Sequence, residues 1–209
     1  MPQFRGGLAE DTGGNVDVQT RAHCMRGIGN YLRSLDPAHA QPIESKLSQE
    51  TMKSMYEISP EIWCPISLWK EALDVIVASH SDPVTARAAV RSVGRFICEG
   101  TVNSFLRVLM RIMTPALFAK KGAGMIGKDF RGFPGGEPDY SYDLTKESEG
   151  LMTMTIRNAK SFPYLGATGQ GFIEFAFHYI GKKNVLIDEP NCPPNEYAPE
   201  VVHWRIRWS

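Results

Sequence analysis

The chain has 209 residues, 43% of them hydrophobic and 22% charged, with 23 Lys and Arg against 23 Asp and Glu and a formal net charge of zero. That length can bury a core without staples, and the charge balance argues against a general affinity for nucleic acid or for anionic membrane. The four cysteines, Cys24, Cys64, Cys98 and Cys192, are too few and too far apart for a disulfide scaffold or a Cys-x-x-Cys pair, and they predict reduced thiols in a cytoplasmic protein.

The opening "MPQFRGGLAEDTGG" lacks the apolar core of a secretory signal. Charge interrupts every apolar run before the ~18 residues that a membrane span needs. Residues 1–19, rich in Gly, Asp and Gln, predict a loosely held head with room for a short strand, and residues 20–209 a single domain. Met25, Ile28, Leu32 and Leu35 recur at helical spacing and predict a helix near 20–35. "DPAHAQP" reads as a break, followed by a short helix around 43–54. Another helix should start after Pro65 and run to about His80. Asp82 before Pro83 is an N-cap with proline at the first helical position. The helix it opens carries Val90, Val93 and Ile97 and should end or bend near Gly100. Val102, Phe105, Leu106, Leu109, Ile112 and Met113 predict a further helix, and Pro115 opens one over 115–128.

The period then changes. "DFRGFPGGEPDYSY" at 129–142 reads as a loop. Met152, Met154 and Ile156 alternate with Thr153, Thr155 and Arg157, which predicts a half-buried strand. A helix over 168–181, a short strand at 184–189 and a last strand "VVHWRIRW" complete the chain. In that last strand Val202, Trp204, Ile206 and Trp208 should face the helices. Thr153, Thr155, Arg157, His203, Arg205 and Arg207 would then form a solvated outer face. The order predicts an α+β fold: an N-terminal helical layer on a small, mainly antiparallel sheet, with one further helix between C-terminal strands.

"GATGQG" ahead of an apolar helix superficially suits anion binding at a helix N-terminus. A dinucleotide fingerprint needs a strand running straight into the first glycine, and here "NAKSFPY" intervenes. No Gly-Lys-Ser/Thr follows. The helix is apolar on two stripes, with only Gln170, Glu174 and His178 polar, so the glycines are read as letting a buried helix approach its neighbours. Glu174 and His178, four apart, read as a surface ion pair. No histidine stands at metal-binding spacing, and the adjacent His23 and Cys24 are poor geometry for one tetrahedral ion, so no metal is expected. Cys98 reads as core. Cys192, in the loop "NCPPN", is the one thiol that could react, with no partner base in sight.

Methionine and aromatic side chains concentrate in 96–118 and 151–179. They predict an apolar pocket between helices and sheet, lined by Phe105, Leu109, Met113, Met154, Phe175 and Tyr179.

The order of a helical entry at Trp63 and Trp69, "VGRF" at 93–96, "MTPALFAK" at 113–120, a strand, "YLGATGQGFIEFAFHYIGKKNVLIDE" and a closing "HWRIRW" resembles a paralogous family of roughly 200-residue myxobacterial proteins of unknown function, over residues 20–209. That family is in turn similar to the 4-vinyl-reductase domain and to the haem-NO-binding sensor fold. The resemblance implies a ligand-binding or signalling module in a bacterium. It does not imply haem, because "YSYD" at 140–143 departs from the Tyr-x-Ser-x-Arg motif that holds propionates in the haem sensors. The cysteine pairs of many 4-vinyl-reductase domains are missing too.

The sequence therefore predicts a sensory or regulatory module that binds a small apolar or amphipathic ligand, with no cofactor. A protein partner and a homodimer formed through the apolar helices are expected, and nucleic acid is not. A lyase or isomerase using the same pocket, and a purely dimerising interaction module, are the alternatives.

Overall fold

The structure, a computed structural model, describes residues 17–101, 112–190 and 192–209. Among the described residues six helices precede the larger sheet: α1 (Ala22–Ser34), α2 (Pro37–Glu44), α3 (Gln49–Tyr56), α4 (Ile66–Ala78), α5 (Pro83–Thr101) and α6 (Pro115–Asp129). Four start at a side-chain cap. Asp36 accepts from the Ala38 amide, the Ser48 hydroxyl from Thr51, Asp82 from Val84 and Thr85, and the Thr114 hydroxyl from Leu117. Each cap satisfies an amide that the helix itself leaves open, and Pro37, Pro83 and Pro115 sit where a missing N–H costs nothing. "DPAHAQP" is thus the start of α2 and not a break: Asp36-Pro37 is the same signal as Asp82-Pro83. The single helix expected around 43–54 is replaced by the end of α2 and a separate α3. The helix expected over 102–113 falls outside the described residues except for its last two positions. The head at 1–19 is described only from residue 17.

Two antiparallel sheets follow from the pairing. The smaller joins β1 (Gln19–Arg21), β2 (Trp63–Pro65) and β3 (Phe130–Arg131) in the order β2-β1-β3, with Thr20 opposite Cys64 on one side and Phe130 on the other. The larger joins β4 (Asp139–Asp143), β5 (Leu151–Arg157), β6 (Leu186–Asp188) and β7 (Val201–Arg207) in the order β4-β5-β7-β6. The segment 129–142 is therefore not all loop. It holds β3 and most of β4, an edge strand ordered by pairing with β5 and by the Tyr140 hydroxyl, which donates to Ala119 O of α6 at 2.8 Å.

On β7, Val202, Trp204 and Ile206 are buried and Arg205 and Arg207 exposed. Trp208 lies past the strand, half-buried, with its ring 5.4 Å from that of Phe177. On the outer face Thr155 and His203 are hydrogen-bonded across strands at 2.8 Å, and Asp188 accepts from both Arg205 and Arg207, at 3.0 and 2.9 Å.

The last helix, α7 (Leu165–Tyr179), lies between β5 and β6 in the chain and packs on both α5 and the sheet. Its glycines explain how. A Cβ on Gly171 would sit 1.8 Å from Arg91 O of α5, and one on Gly94 of α5 would sit 1.8 Å from Thr168 O of α7. A Cβ on Gly169 would sit 2.2 Å from the Trp204 ring. The two helices therefore meet backbone to backbone, and the indole of β7 lies flush on the third glycine. Glu174 pairs with Arg91 across this contact at 2.7 Å, rather than with His178, and Gln170 is buried.

Candidate functional site: an apolar cavity with a His-Cys-Asp cluster at its wall

Where α1, α5, α6 and α7 meet the inner face of the larger sheet, they line a partly open cavity of about 70 Å³. Ile97, Phe118, Met125, Met154, Phe172 and Trp204 supply much of its wall. The polar groups on the wall are few. The Thr168 hydroxyl donates to Tyr164 O at 2.9 Å and the Trp204 indole N–H to Gly166 O at 3.0 Å, so neither is free for a guest. Apart from Cys24 and Asp129, what remains is apolar contact, the chemistry that takes up small uncharged molecules.

Of the residues expected to line a pocket, Met154 is on this wall. Met113 is half-buried against the core away from it. Phe175 and Tyr179 lie on another face of α7, edge to face at 5.0 Å, with the Arg95 guanidinium 5.4 Å from the Phe175 ring centroid. There Phe175 borders an open groove between α5 and α7. Phe105 and Leu109 lie outside the described residues. Beside Leu165, Thr168 and Gly169 at its start, the α7 residues that do face the cavity are Phe172 and Ile173, one from each apolar stripe. Periodicity shows two stripes but not which neighbour each will meet.

Cys24 and Asp129 also reach the cavity, and sequence reasoning missed both as wall residues. The small sheet brings them together. β1 runs directly into α1, and α6 runs directly into β3. The β1–β3 pairing, with Thr20 Oγ1 donating to Asp129 O at 3.2 Å, sets the first turn of α1 beside the last residue of α6. His23 Nε2 then lies 3.1 Å from Asp129 Oδ1, and Cys24 Sγ lies 3.5 Å from the same nitrogen. Adjacency in the chain, which counted against a shared site, does not prevent convergence: the ligand atoms of His23, Cys24 and Asp129 all lie within 4.8 Å of one another. Cys24 is fully buried, and that burial, with the charge of Asp129, holds its thiol well above the usual range.

Away from the cavity, Arg87 of α5 pairs with the buried carboxylate of Glu189 in the loop after β6. Cys192 lies beside them, its sulfur 3.7 Å from the Arg87 guanidinium. Burial and the Glu189 charge push that thiol up, so the loop cysteine is not an activated nucleophile.

No family model matches the chain, and no curated protein does. Solved structures do. A variant H-NOX protein from S. oneidensis in the Fe(II) ligation state is similar with a TM-score of 0.63 at 8% identity, over 90% of this chain and 96% of that one. The Fe(II) unliganded H-NOX protein from K. algicida is similar with a TM-score of 0.59 at 11% identity, over the same shares. A structure described by protein-induced porphyrin distortion and haem redox potential is similar with a TM-score of 0.55 at 13% identity, over 90% of this chain and 99% of that one. At these identities the likeness is one of fold: the chain has an H-NOX-like α+β fold.

Haem does not fit the described residues. Pockets for drug-sized ligands span ~300–1,000 Å³, and a porphyrin belongs in that range, well above the cavity found here. An iron would need an axial His, thiolate, Met or Tyr. The wall offers Met125, Met154 and a thiol that burial keeps protonated. Among the described wall residues there is no Lys, Arg or His to meet a propionate. Tyr140, in the segment compared with the propionate motif, spends its hydroxyl on Ala119 O.

Proposed function

We propose that this H-NOX-like domain is a sensory or regulatory module that takes a small apolar or amphipathic ligand directly into the α1/α5/α6/α7 cavity, without haem. The apolar cavity carries the reading. An engineered 150 Å³ apolar cavity accommodates benzene or xenon, and water in bulk occupies about 30 Å³. A void near 70 Å³ therefore suits a guest of about two or three non-hydrogen atoms. The neighbours named for Fe(II) and haem chemistry support a small-ligand role for the fold. On this reading the chain is a member of the myxobacterial paralogous family, acts in the cytoplasm as a homodimer, and passes its signal to a protein partner. Ile112 and Leu117, apolar and exposed, support such a contact. The lyase or isomerase alternative calls for a wall group poised to move protons. Cys24, held protonated by burial, works against it.

Xenon is the probe. Metal-free protein should give a saturable xenon NMR shift, and xenon-pressurised crystals should place the atom between Ile97, Met154 and Trp204. Ile97→Phe, which fills the void, should abolish both signals. A shift that is absent, or unchanged in Ile97→Phe, would overturn the proposal. Haem mixed with the same protein should produce no stoichiometric Soret shift.

A further inference from the structure

The geometry points to a binding site for one divalent transition-metal ion, with Zn²⁺ as the reference, held by His23, Cys24 and Asp129 and open at its fourth position toward the apolar cavity. The donor set is one nitrogen, one sulfur and one oxygen, the mixture that suits a borderline cation and not Mg²⁺ or Ca²⁺. The spacing suits it too. With Zn–N and Zn–O near 2.0–2.2 Å and Zn–S near 2.3 Å, a regular tetrahedron separates nitrogen from sulfur by about 3.5 Å and nitrogen from oxygen by about 3.3 Å. The corresponding distances here are 3.5 Å for His23 Nε2 to Cys24 Sγ and 3.1 Å for His23 Nε2 to Asp129 Oδ1. The third donor pair also closes within 4.8 Å.

The ligands are positioned before any ion arrives. Two are consecutive residues in the first turn of α1, the third ends α6, and the β1–β3 pairing fixes one helix end against the other. Binding converts the Cys24 thiol to a thiolate, its proton leaving to solvent as the sulfur–metal bond forms. Thiolate and carboxylate together then balance the dication, so the filled site is neutral in a wall otherwise apolar. Cys24 and Asp129 both line the cavity while His23 does not, so the open position faces the void. Three protein ligands with a vacancy are the pattern of a reactive or ligand-binding ion, not of a closed structural one. The metal site stands whether or not an apolar guest enters the cavity. The xenon measurement on metal-free protein reads the cavity alone.

Cobalt tests it in the 209-residue chain, stripped with chelator and kept reduced. Co²⁺ should bind one per chain, with a sulfur-to-cobalt charge-transfer band in the near ultraviolet and the intense visible bands of a tetrahedral site, and Zn²⁺ should displace it. Cys24→Ala should lose the charge-transfer band, and Cys192→Ala should keep it. His23→Ala, a change at a partly exposed position that is safer for folding, and Asp129→Asn should each weaken Co²⁺ binding at least about tenfold. No charge-transfer band at stoichiometric Co²⁺ would overturn the site. So would a band that survives Cys24→Ala and disappears in Cys192→Ala, or a folded His23→Ala protein that binds Co²⁺ as tightly as the parent.

Discussion

Gly171→Ala and Gly94→Ala should both destabilise the protein, and together they should cost less than their sum. Each adds one methyl group inside a helix, which by propensity alone gains about 1 kcal/mol. Each methyl group would also sit 1.8 Å from a backbone carbonyl oxygen of the facing helix. Ordinary contact begins at 3.4 Å, so α5 and α7 must part locally by about 1.6 Å, more than the gap that already forfeits half of a dispersion contact. Because the obstacle is backbone and not the tip of a flexible side chain, the overpacking cost of about 1–3 kcal/mol applies in its upper half, and the net loss should be about 1–2 kcal/mol for each single variant. Arg91 O faces Gly171 and Thr168 O faces Gly94, one helical turn apart along the same seam. Once one methyl group has separated the helices, the second meets less resistance, so the double variant should fall short of additivity by about 0.5 kcal/mol or more. Gly124→Ala in α6 is the control: no described atom lies within 4 Å of the position its methyl group would take, and it should stabilise by about 0.5–1 kcal/mol. Urea denaturation with a common m-value reads all four proteins. Stabilisation by Gly171→Ala comparable to that of Gly124→Ala, or strict additivity of the pair, would refute the backbone-to-backbone contact.

Trp204→Ala should cost about 3–5 kcal/mol in the same assay, since it removes a buried indole, strands Gly166 O and enlarges the cavity. A loss below about 1 kcal/mol would mean the indole does not carry the helix–sheet contact. Arg87→Ala should cost about 3–5 kcal/mol at neutral pH, because it leaves the Glu189 carboxylate buried and unpaired. Burial already raises the Glu189 carboxyl above its ordinary value, and losing Arg87 raises it further. A raised carboxyl favours the fold below its unfolded value, about 4.3, and loses that contribution as pH rises through the folded value. The deficit of Arg87→Ala against the parent should therefore shrink as pH falls toward 4 and be full at pH 7. A deficit independent of pH would place the cost elsewhere.

The helices were legible where a cap and a stripe coincide. Asp82-Pro83 and Thr114 before Pro115 mark the starts of α5 and α6 to the residue, because each cap closes an amide that only a helix leaves open. Strand β7 was legible because Val202, Trp204 and Ile206 alternate with polar residues over a length sufficient to show a period. The small sheet was not: strands of three, three and two residues carry no periodicity, and the β1–β3 pairing joins residues more than a hundred positions apart. The cluster inherits that invisibility. Asp129 looked like the first residue of a loop, and only the β1–β3 pairing reveals it as the end of α6 beside His23. On α7 the sequence identified the buried helix and the role of its glycines, yet the choice between Phe172 and Phe175 as wall depends on where α5 crosses, a relation fixed by Gly94 and Gly171 meeting the opposite backbone.

The cavity also makes the molecule responsive to hydrostatic pressure. A void of 70 Å³ forgoes about 1.7 kcal/mol of packing at about 24 cal/mol per Å³, and scaled to a mole it is about 40 mL, inside the ~20–100 mL/mol by which proteins contract on unfolding. Compression therefore works on this fold through the apolar space set between α5, α7 and β7, in proportion to the water it excludes. A guest that occupies the space removes that contraction, so occupancy of the site and resistance to pressure become two readings of one equilibrium.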